Sequence, residues 1–189
     1  MRTLRVLAVI CALLLGPLGR AGAQPEMRTF HDPAGWFSIS LPADWRPAAD
    51  PVRSLGAGFV HGFATSDAGG WVRSTLAADG PSEANGFALP FIGLLALELP
   101  RTLSARTFGE AVKTHLPSGW TRTQDGETQI AGHDAFYQYM TRGELYAVLV
   151  GIPTPRATFL VMAGTVNEPG RVTSDFATIG QILDSLQPR

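Results

Sequence analysis

The chain has 189 residues, a single cysteine and a formal net charge of −1, from 15 basic and 16 acidic residues. The single cysteine excludes an internal disulfide, so we expect the fold to be held by its hydrophobic core. The near-neutral charge, without a block of basic residues, argues against nucleic acid as a partner, because phosphate binding needs a concentrated basic surface.

The N-terminus has the three parts of a secretory signal peptide. Arg2 and Arg5 precede an apolar run at 6–19, and small residues at 21–23 provide the cleavage site. The apolar run is shorter than the ~18 residues that a membrane-spanning helix needs, and its cysteine does not follow the run as a lipid-modified cysteine would. We therefore expect cleavage of residues 1–23 and a single mature domain of residues 24–189. This domain is expected in the periplasm or outside the cell, not lipidated and without stable membrane insertion.

The mature chain opens with a predicted β-hairpin over 27–42, whose turn is a Pro-Ala-Gly stretch. Phe37 and Ile39 lie on the same face of the second strand, which predicts that they belong to the core. Trp45 follows in an irregular turn and is also predicted to be core, because large aromatics near strand ends usually pack inward. Trp36 lies on the opposite strand face and is the member of this pair that we consider for binding.

The next segments read as strands and a loop. Residues 56–65 and 71–78 are predicted as a strand pair, joined by a short Ser-Asp-Ala-Gly-Gly connection. Residues 80–86 read as a loop. The apolar stretch that follows contains a proline and a glycine that break a helix, so we predict a buried strand over 93–100, with 87–92 as its lead-in.

The first predicted helix follows residue 106. Thr107 and Glu110 have the spacing of a capping box, and Phe108, Val112 and Leu116 recur on one helical face. A proline and a glycine immediately after this stretch predict where the helix stops.

The last third reads as a hairpin, a three-stranded meander and a terminal helix. Residues 120–132 are predicted as a hairpin with a tight turn at Asp125-Gly126, and 133–166 as three further strands. The final helix is predicted over 173–186, with Ser174 as its cap. Its inner face carries Phe176, Ile179, Leu183 and Leu186.

The order of strands, a helix, more strands and a terminal helix favours an α+β domain with a mainly antiparallel sheet flanked by helices. The stretches "GWFSISLPADW", "TFGEAVKTHL", "IAGHDAFYQY" and "FATIGQILDSLQP", in this order, resemble the PsbP-like superfamily. That group includes the photosystem II protein PsbP, the Mog-type Ran-binding proteins and DcrB-like exported bacterial proteins. The resemblance implies a PsbP-like α/β/α sandwich, and mostly accessory or binding roles without a shared catalytic residue. The stretch 80–93 departs from the shorter members.

The ionisable and nucleophilic residues form no recognisable catalytic or metal-binding motif. No two of His31, His61, His115 and His133 lie within five residues, so the sequence contains no local pair of metal ligands. A nucleophile elbow, a phosphate-binding loop and an S-x-x-K motif are also missing. We therefore predict no enzymatic activity, no catalytic residue, no metal and no cofactor.

The remaining binding candidates are aromatic. Tyr137 and Tyr139 alternate with Phe136 and Gln138 on a predicted strand. If the tyrosine face points outward, it forms a small patch suited to a protein or a sugar; otherwise the tyrosines pack under the terminal helix. Trp36, Tyr137 and Tyr139 are accordingly the candidate binding residues.

Three functional hypotheses follow. The leading one is an exported, non-catalytic accessory or binding protein of the bacterial envelope, whose partner is another envelope protein. The alternative is a carrier of a small apolar ligand, with a pocket between sheet and helices and residues 87–95 at its mouth. The third is a hydrolase whose Ser, His and acid come together from distant positions.

Overall fold

The computed structural model describes residues 25–101, 103–113 and 119–189. The predicted signal peptide lies outside these ranges, as do His115 and Leu116. The strands are β1 (Met27–His31), β2 (Phe37–Pro42), β3 (Arg46–Pro47), β4 (Val72–Ala84), β5 (Phe87–Leu97), β6 (Thr121–Ile130), β7 (His133–Arg142), β8 (Leu145–Pro153), β9 (Thr158–Val166) and β10 (Gln187–Pro188). The helices are α1 (Leu55–Ala64), α2 (Ala105–Lys113) and α3 (Pro169–Asp184), with a 3-10 helix at Asp67–Trp71.

Two antiparallel sheets form the framework. The larger has seven strands in the order β3-β4-β5-β9-β8-β7-β6, and the smaller has the order β1-β2-β10. The predicted hairpin over 27–42 is confirmed as β1 and β2, and the predicted meander is confirmed as β7, β8 and β9. The predicted α+β class with a mainly antiparallel sheet is confirmed as well.

The large sheet carries a hydrophobic core on each face. Ile92 and Leu94 alternate with Phe91 and Leu95 along β5, and all four side chains are fully buried. One core packs against α3 and the small sheet, and the other packs against α1 and α2. This arrangement is the predicted α/β/α sandwich. Phe37, Ile39 and Trp45 all belong to the first core, as predicted.

The prediction of a strand at 56–65 is wrong, because this segment forms α1. The Ser54 side chain caps the helix, accepting a hydrogen bond from the Ala57 backbone amide at 3.1 Å. Gly56 lies directly on β5: a Cβ there would be 2.3 Å from the carbonyl oxygen of Ile92. Gly56 is therefore required for close contact between helix and sheet. The predicted connection after it is the 3-10 helix.

The prediction of a loop at 80–86 is also wrong. Strand β4 continues to Ala84, and the two-residue turn Asn85-Gly86 leads directly into β5. Both turn residues have positive φ, 53° and 81°, which matches the preference of tight hairpins for Asn-Gly. Strand β5 consequently begins at Phe87, so the predicted lead-in is part of the strand.

The predicted turn at Asp125-Gly126 is wrong for a different reason. Strand β6 runs through both residues, and the turn lies at Ala131-Gly132, with φ values of 52° and 77°. Gly126 faces Tyr137 on β7, and a Cβ at Gly126 would be 2.8 Å from the tyrosine hydroxyl. A contact with the neighbouring strand, rather than a turn, therefore explains this glycine.

Both predicted helix caps are displaced. Helix α2 is capped by Ser104, whose Oγ accepts a hydrogen bond from the Thr107 backbone amide at 3.1 Å. Helix α3 begins at Pro169, so Ser174 lies inside it, and its hydroxyl donates to the Arg171 carbonyl. The inner face of α3 is as predicted, with Phe176, Ile179 and Leu183 buried, and Leu186 buried just after the helix. None of the helices in the described ranges is long and apolar enough to cross a bilayer.

Candidate functional site

An open groove of about 770 Å³ lies at one end of the molecule. It forms where the start of α2 meets the turn between β6 and β7 and the turn between β8 and β9. Its polar lining includes Ser104, Arg106, Glu127, Gln129, His133 and Asp134. The mixed polar and apolar lining suits recognition of a polar or peptide-like partner.

The charges of the groove are partly paired. Arg106 Nε donates to Glu127 Oε1 at 2.8 Å, which links α2 to β6. Both side chains are exposed, so this ion pair contributes only about 0–1 kcal/mol to stability. Gln129 Nε2 donates to Asp134 Oδ1 at 3.4 Å, and no described basic residue pairs with Asp134. The carboxylates therefore outnumber the fixed cation in the groove, which favours a basic side chain on a partner.

The groove does not assemble a hydrolytic triad among the described residues. Ser104, His133 and Asp134 all line it, yet no hydrogen bond joins the imidazole to either of the other two. The Ser104 hydroxyl instead contacts the Thr107 hydroxyl at 2.9 Å, and it also caps α2. In the same described ranges, no group of three His, Cys, Asp or Glu residues could hold a metal ion.

The predicted lining of a carrier pocket is wrong. Residues 87–95 belong to β5, which lies between β4 and β9 in the large sheet, and none of them lines the groove. Leu89 and Leu95 are fully buried and pack in the core beneath α1 and α2. This stretch therefore forms packed interior and not the mouth of a pocket.

Trp36 is half-buried and supports a contact between three parts of the fold. The Arg156 guanidinium lies 4.3 Å from the centre of the Trp36 ring. The same guanidinium donates to the backbone carbonyl of Arg189 at 2.6 Å and to that of Gly35 at 3.3 Å. Trp36 and Arg156 thus join the β1–β2 turn to the β8–β9 turn and to the end of β10.

The tyrosines lie on the face of the large sheet that packs against α3, in a row that we call the tyrosine shelf: Tyr137, Tyr139 and Tyr146. The ring centres of Tyr137 and Tyr139 are 5.4 Å apart, and Tyr139 stacks on Tyr146 at 5.5 Å. Phe176 of α3 contacts both Tyr139 and Tyr146. The shelf therefore packs against the terminal helix while each tyrosine keeps a partly exposed surface.

The hydroxyls of Tyr139 and Tyr146 remain protonated at physiological pH. Burial raises the pKa of Tyr146 to about 12, the neighbouring Tyr139 adds to this rise, and a hydrogen bond with Thr123 opposes it. Burial also raises the pKa of Tyr139, with a further contribution from Tyr137. The Tyr137 hydroxyl accepts a hydrogen bond from Gln124 Nε2 at 3.3 Å. The shelf thus presents hydroxyl groups and aromatic edges.

A buried carboxyl lies apart from the groove, between α1 and β4. Asp79 is 9% exposed, and the Ser54 hydroxyl donates to its Oδ1 at 2.8 Å. Burial raises the pKa of Asp79 from 3.8 to about 6, and the hydrogen bond from Ser54 opposes that rise. Ser54 both caps α1 and donates to this carboxyl, so it links the start of the helix to β4.

Replacing Asp79 by asparagine should stabilise the protein at neutral pH. The folded state holds the Asp79 proton more tightly than the unfolded state, so native stability falls as pH rises from about 4 to about 6 and is level above that. Asparagine still accepts the hydrogen bond from Ser54 but has no proton to lose as pH rises. We therefore expect the free energy of unfolding of the variant to exceed that of the wild type by about 1–2 kcal/mol at pH 7, with little difference near pH 4.

Urea unfolding at both pH values measures this difference, with the exposed Asp44→Asn as the matched control. A raised pKa of Asp79 is contradicted if Asp79→Asn raises the free energy of unfolding by the same amount near pH 4 as at pH 7.

Comparison with known proteins supports the fold directly. No protein-family model matches the chain, and no curated protein matches it either. The solution structure of cyanobacterial PsbP (CyanoP) from Synechocystis sp. PCC 6803 superposes with a TM-score of 0.56, covering 93% of this chain and 99% of that one, at 12% identity. The chain has the PsbP-like fold. This confirms the resemblance read from the sequence.

A second structure is more distant from this PsbP-like chain. LpqN of Mycobacterium tuberculosis, described as involved in cell envelope biogenesis, has a TM-score of 0.45 and 12% identity, covering 86% of this chain and 90% of that one. At such identities a similarity indicates shape and not activity, so the function has to be argued from the site.

The sequence did not reveal the residues that line the groove. Arg106, Glu127 and Gln129 come from two elements that are distant along the chain, and none belongs to a local motif. Among the groove residues, His133 is one of the four histidines that form no local pair of metal ligands. The candidate binding residues Trp36, Tyr137 and Tyr139 lie outside the groove lining.

Proposed function

We propose that this PsbP-like chain is an exported, non-catalytic accessory or binding protein of the bacterial envelope that acts through contacts with another protein. The observation that carries the proposal is the open groove of about 770 Å³ beside the outer strand of the large sheet. An open surface groove accommodates an extended segment of a partner, whereas small apolar ligands are generally enclosed. The accessory role is also what the PsbP-like resemblance implies.

The periplasmic or extracellular location rests on the predicted signal peptide at residues 1–23. A protein working there without disulfides depends on its core, and the two hydrophobic cores on the large sheet provide it. The non-catalytic part of the proposal is supported by the hydrogen bonds of Ser104, which engage α2 and not a histidine base.

The test is crosslinking and affinity capture from the native envelope, using the full chain with a C-terminal tag, followed by mass spectrometry. We expect the purified protein to begin at Gln24 and to bring down one reproducible protein partner. The same tag on an unrelated exported domain is the control. Capture of a lipid or small molecule without a protein would contradict the proposal and favour the carrier, and retention of Met1 would contradict cleavage of the signal peptide.

Trp36, Tyr137 and Tyr139 stay candidate contact residues for that partner. Alanine substitution at Tyr137 leaves α3 in place, because Phe176 contacts Tyr139 and Tyr146 and not Tyr137 in the described ring contacts. Tyr137 is therefore the first of the three to substitute once a partner is captured.

A further inference from the structure

We infer that strand β6 accepts an added β-strand from its partner, namely an extended segment with basic side chains at alternate positions. This inference rests on the proposed function and specifies the contact surface. Among the described residues, strand β6 (Thr121–Ile130) is the last strand of the large sheet, and β7 is the one strand that pairs with it. An edge strand of ten residues presents unpaired backbone groups along its outer side.

The turn after β6 determines which backbone groups point outward. In the tight turn Ala131-Gly132, the flanking residues Ile130 and His133 form the hydrogen-bonded pair. Because hydrogen bonding alternates along an antiparallel pair, the amides of Glu127 and Gln129 point away from β7. No described residue forms a backbone hydrogen bond with either of these two residues on the outer side. A partner strand would complete this ladder.

The two faces beside this edge can recognise side chains of the added strand. On one face, Glu127 and Gln129 themselves line the groove, so a strand paired with them places alternate side chains at its entrance. On the other face, the Tyr137 hydroxyl reaches across β6 to within 2.8 Å of where a Gly126 Cβ would lie. The phenol of Tyr137 therefore lies above the edge strand, beside the position that an added strand would take.

The charges on β6 oppose pairing with a second copy. Asp125 and Glu127 are two residues apart, so their backbone amides point to the same, outer side of β6. If two copies paired antiparallel through β6 around these residues, the acidic side chains of one copy would face those of the other. Like charges directly opposite one another are destabilising. The ion pair between Arg106 and Glu127 does not remove this effect, because both of its side chains are exposed. A strand with Lys or Arg at alternate positions is complementary.

The direct test uses two labelled ten-residue peptides, one of alternating Lys and Thr and one of alternating Glu and Thr, in fluorescence anisotropy. We expect the basic peptide to bind about tenfold more tightly than the acidic one. In NMR, amide exchange at Glu127 and Gln129 should slow when the basic peptide is added. Equal binding of both peptides, or binding without protection at these amides, would overturn the inference.

The paired variants Gln129→Pro and Gln129→Ala separate the backbone contact from the side chain. Proline is tolerated on an edge strand where the amide faces outward, so the fold is preserved while the donor is lost. Both variants lose the Gln129 side chain and its hydrogen bond with Asp134, and only proline also removes the backbone donor. We therefore expect the basic peptide to bind Gln129→Pro about tenfold more weakly than it binds Gln129→Ala. Unchanged binding to the proline variant, once its circular dichroism matches the wild type, would contradict strand addition.

The variant Glu127→Lys gives a second readout that does not depend on proline. It should weaken binding of the basic peptide and strengthen binding of the acidic one. If sedimentation shows that the wild-type chain forms a dimer lost in Gln129→Pro, the edge pairs with a second copy and the inference is wrong. Capture of the same envelope partner by wild type and Gln129→Pro would also overturn it while leaving the proposed function intact. A wild type that captures no partner contradicts the proposed function instead.

Discussion

Replacing Gly56 by alanine is expected to lower the free energy of unfolding by about 3 kcal/mol, the upper range for overpacking a well-packed site. A Cβ at this position would lie 2.3 Å from the Ile92 carbonyl oxygen and 2.7 Å from its carbonyl carbon. Both atoms belong to the backbone of β5, so no side-chain rotation relieves the clash. Gly93 is equally restricted, since its Cβ would lie 2.5 Å from the Gly56 carbonyl oxygen.

Gly62→Ala is the matched control on the same helix. No atom lies within 4 Å of a Cβ built at Gly62, so alanine should raise stability by about 0.5–1 kcal/mol through its higher helix propensity. Urea unfolding of both variants measures the difference. If Gly56→Ala is as stable as Gly62→Ala, then α1 does not contact the backbone of β5 at Gly56.

Replacing Trp45 by alanine is expected to cost about 3–5 kcal/mol, the range for deleting a large aromatic from a core. Trp45 is 8% exposed and packs in the same core as Phe37 and Ile39. Trp36 is the natural comparison, because it is half-buried at the margin of that core and contacts the Arg156 guanidinium. Trp36→Ala should therefore cost only about 1 kcal/mol, mostly from the lost cation–π contact and some packing.

Thermal or urea unfolding of the two tryptophan variants decides which one is structural. Equal costs would contradict the contrast between a core tryptophan and a surface one. A cost for Trp36→Ala of the size expected for Trp45→Ala would show that the contact joining the two turns and β10 carries as much stability as the core.

The sequence predicted the elements whose residues repeat with a clear period. The alternation of Phe37 and Ile39, and the three strands of the meander, follow directly from the two-residue period of a half-buried sheet. The inner face of α3 was equally readable, with Phe176, Ile179 and Leu183 all buried. These elements were enough to reach the PsbP-like fold.

Glycines caused the main errors, because their reasons lie far away in the sequence. Gly56 is small so that α1 can rest on β5, and Gly126 is small so that Tyr137 can cross β6. Read locally, Gly126 suggested a turn after Asp125. The Asn85-Gly86 dipeptide was the local signal that would have placed the β4–β5 hairpin correctly.

The candidate site was hidden for the same reason. Ser104 and Arg106 reach the groove from α2, whereas Glu127, Gln129 and Asp134 reach it from the β6–β7 hairpin. Only the folded sheet brings these segments together. The outward direction of the Gln129 amide likewise depends on where the turn lies, so misplacing the turn at Asp125-Gly126 concealed the edge strand.

The most direct measurement is photo-crosslinking in living cells, with a photoreactive amino acid placed at position 129 in one strain and at position 52 in another. Gln129 lies on the β6 edge, whereas Val52 is 78% exposed and follows β3 at the opposite end of the sheet. Binding of an envelope partner at the β6 edge predicts one crosslinked envelope protein from position 129 and none from position 52. Crosslinking of that protein from position 52 but not from position 129, or from neither position, would contradict it.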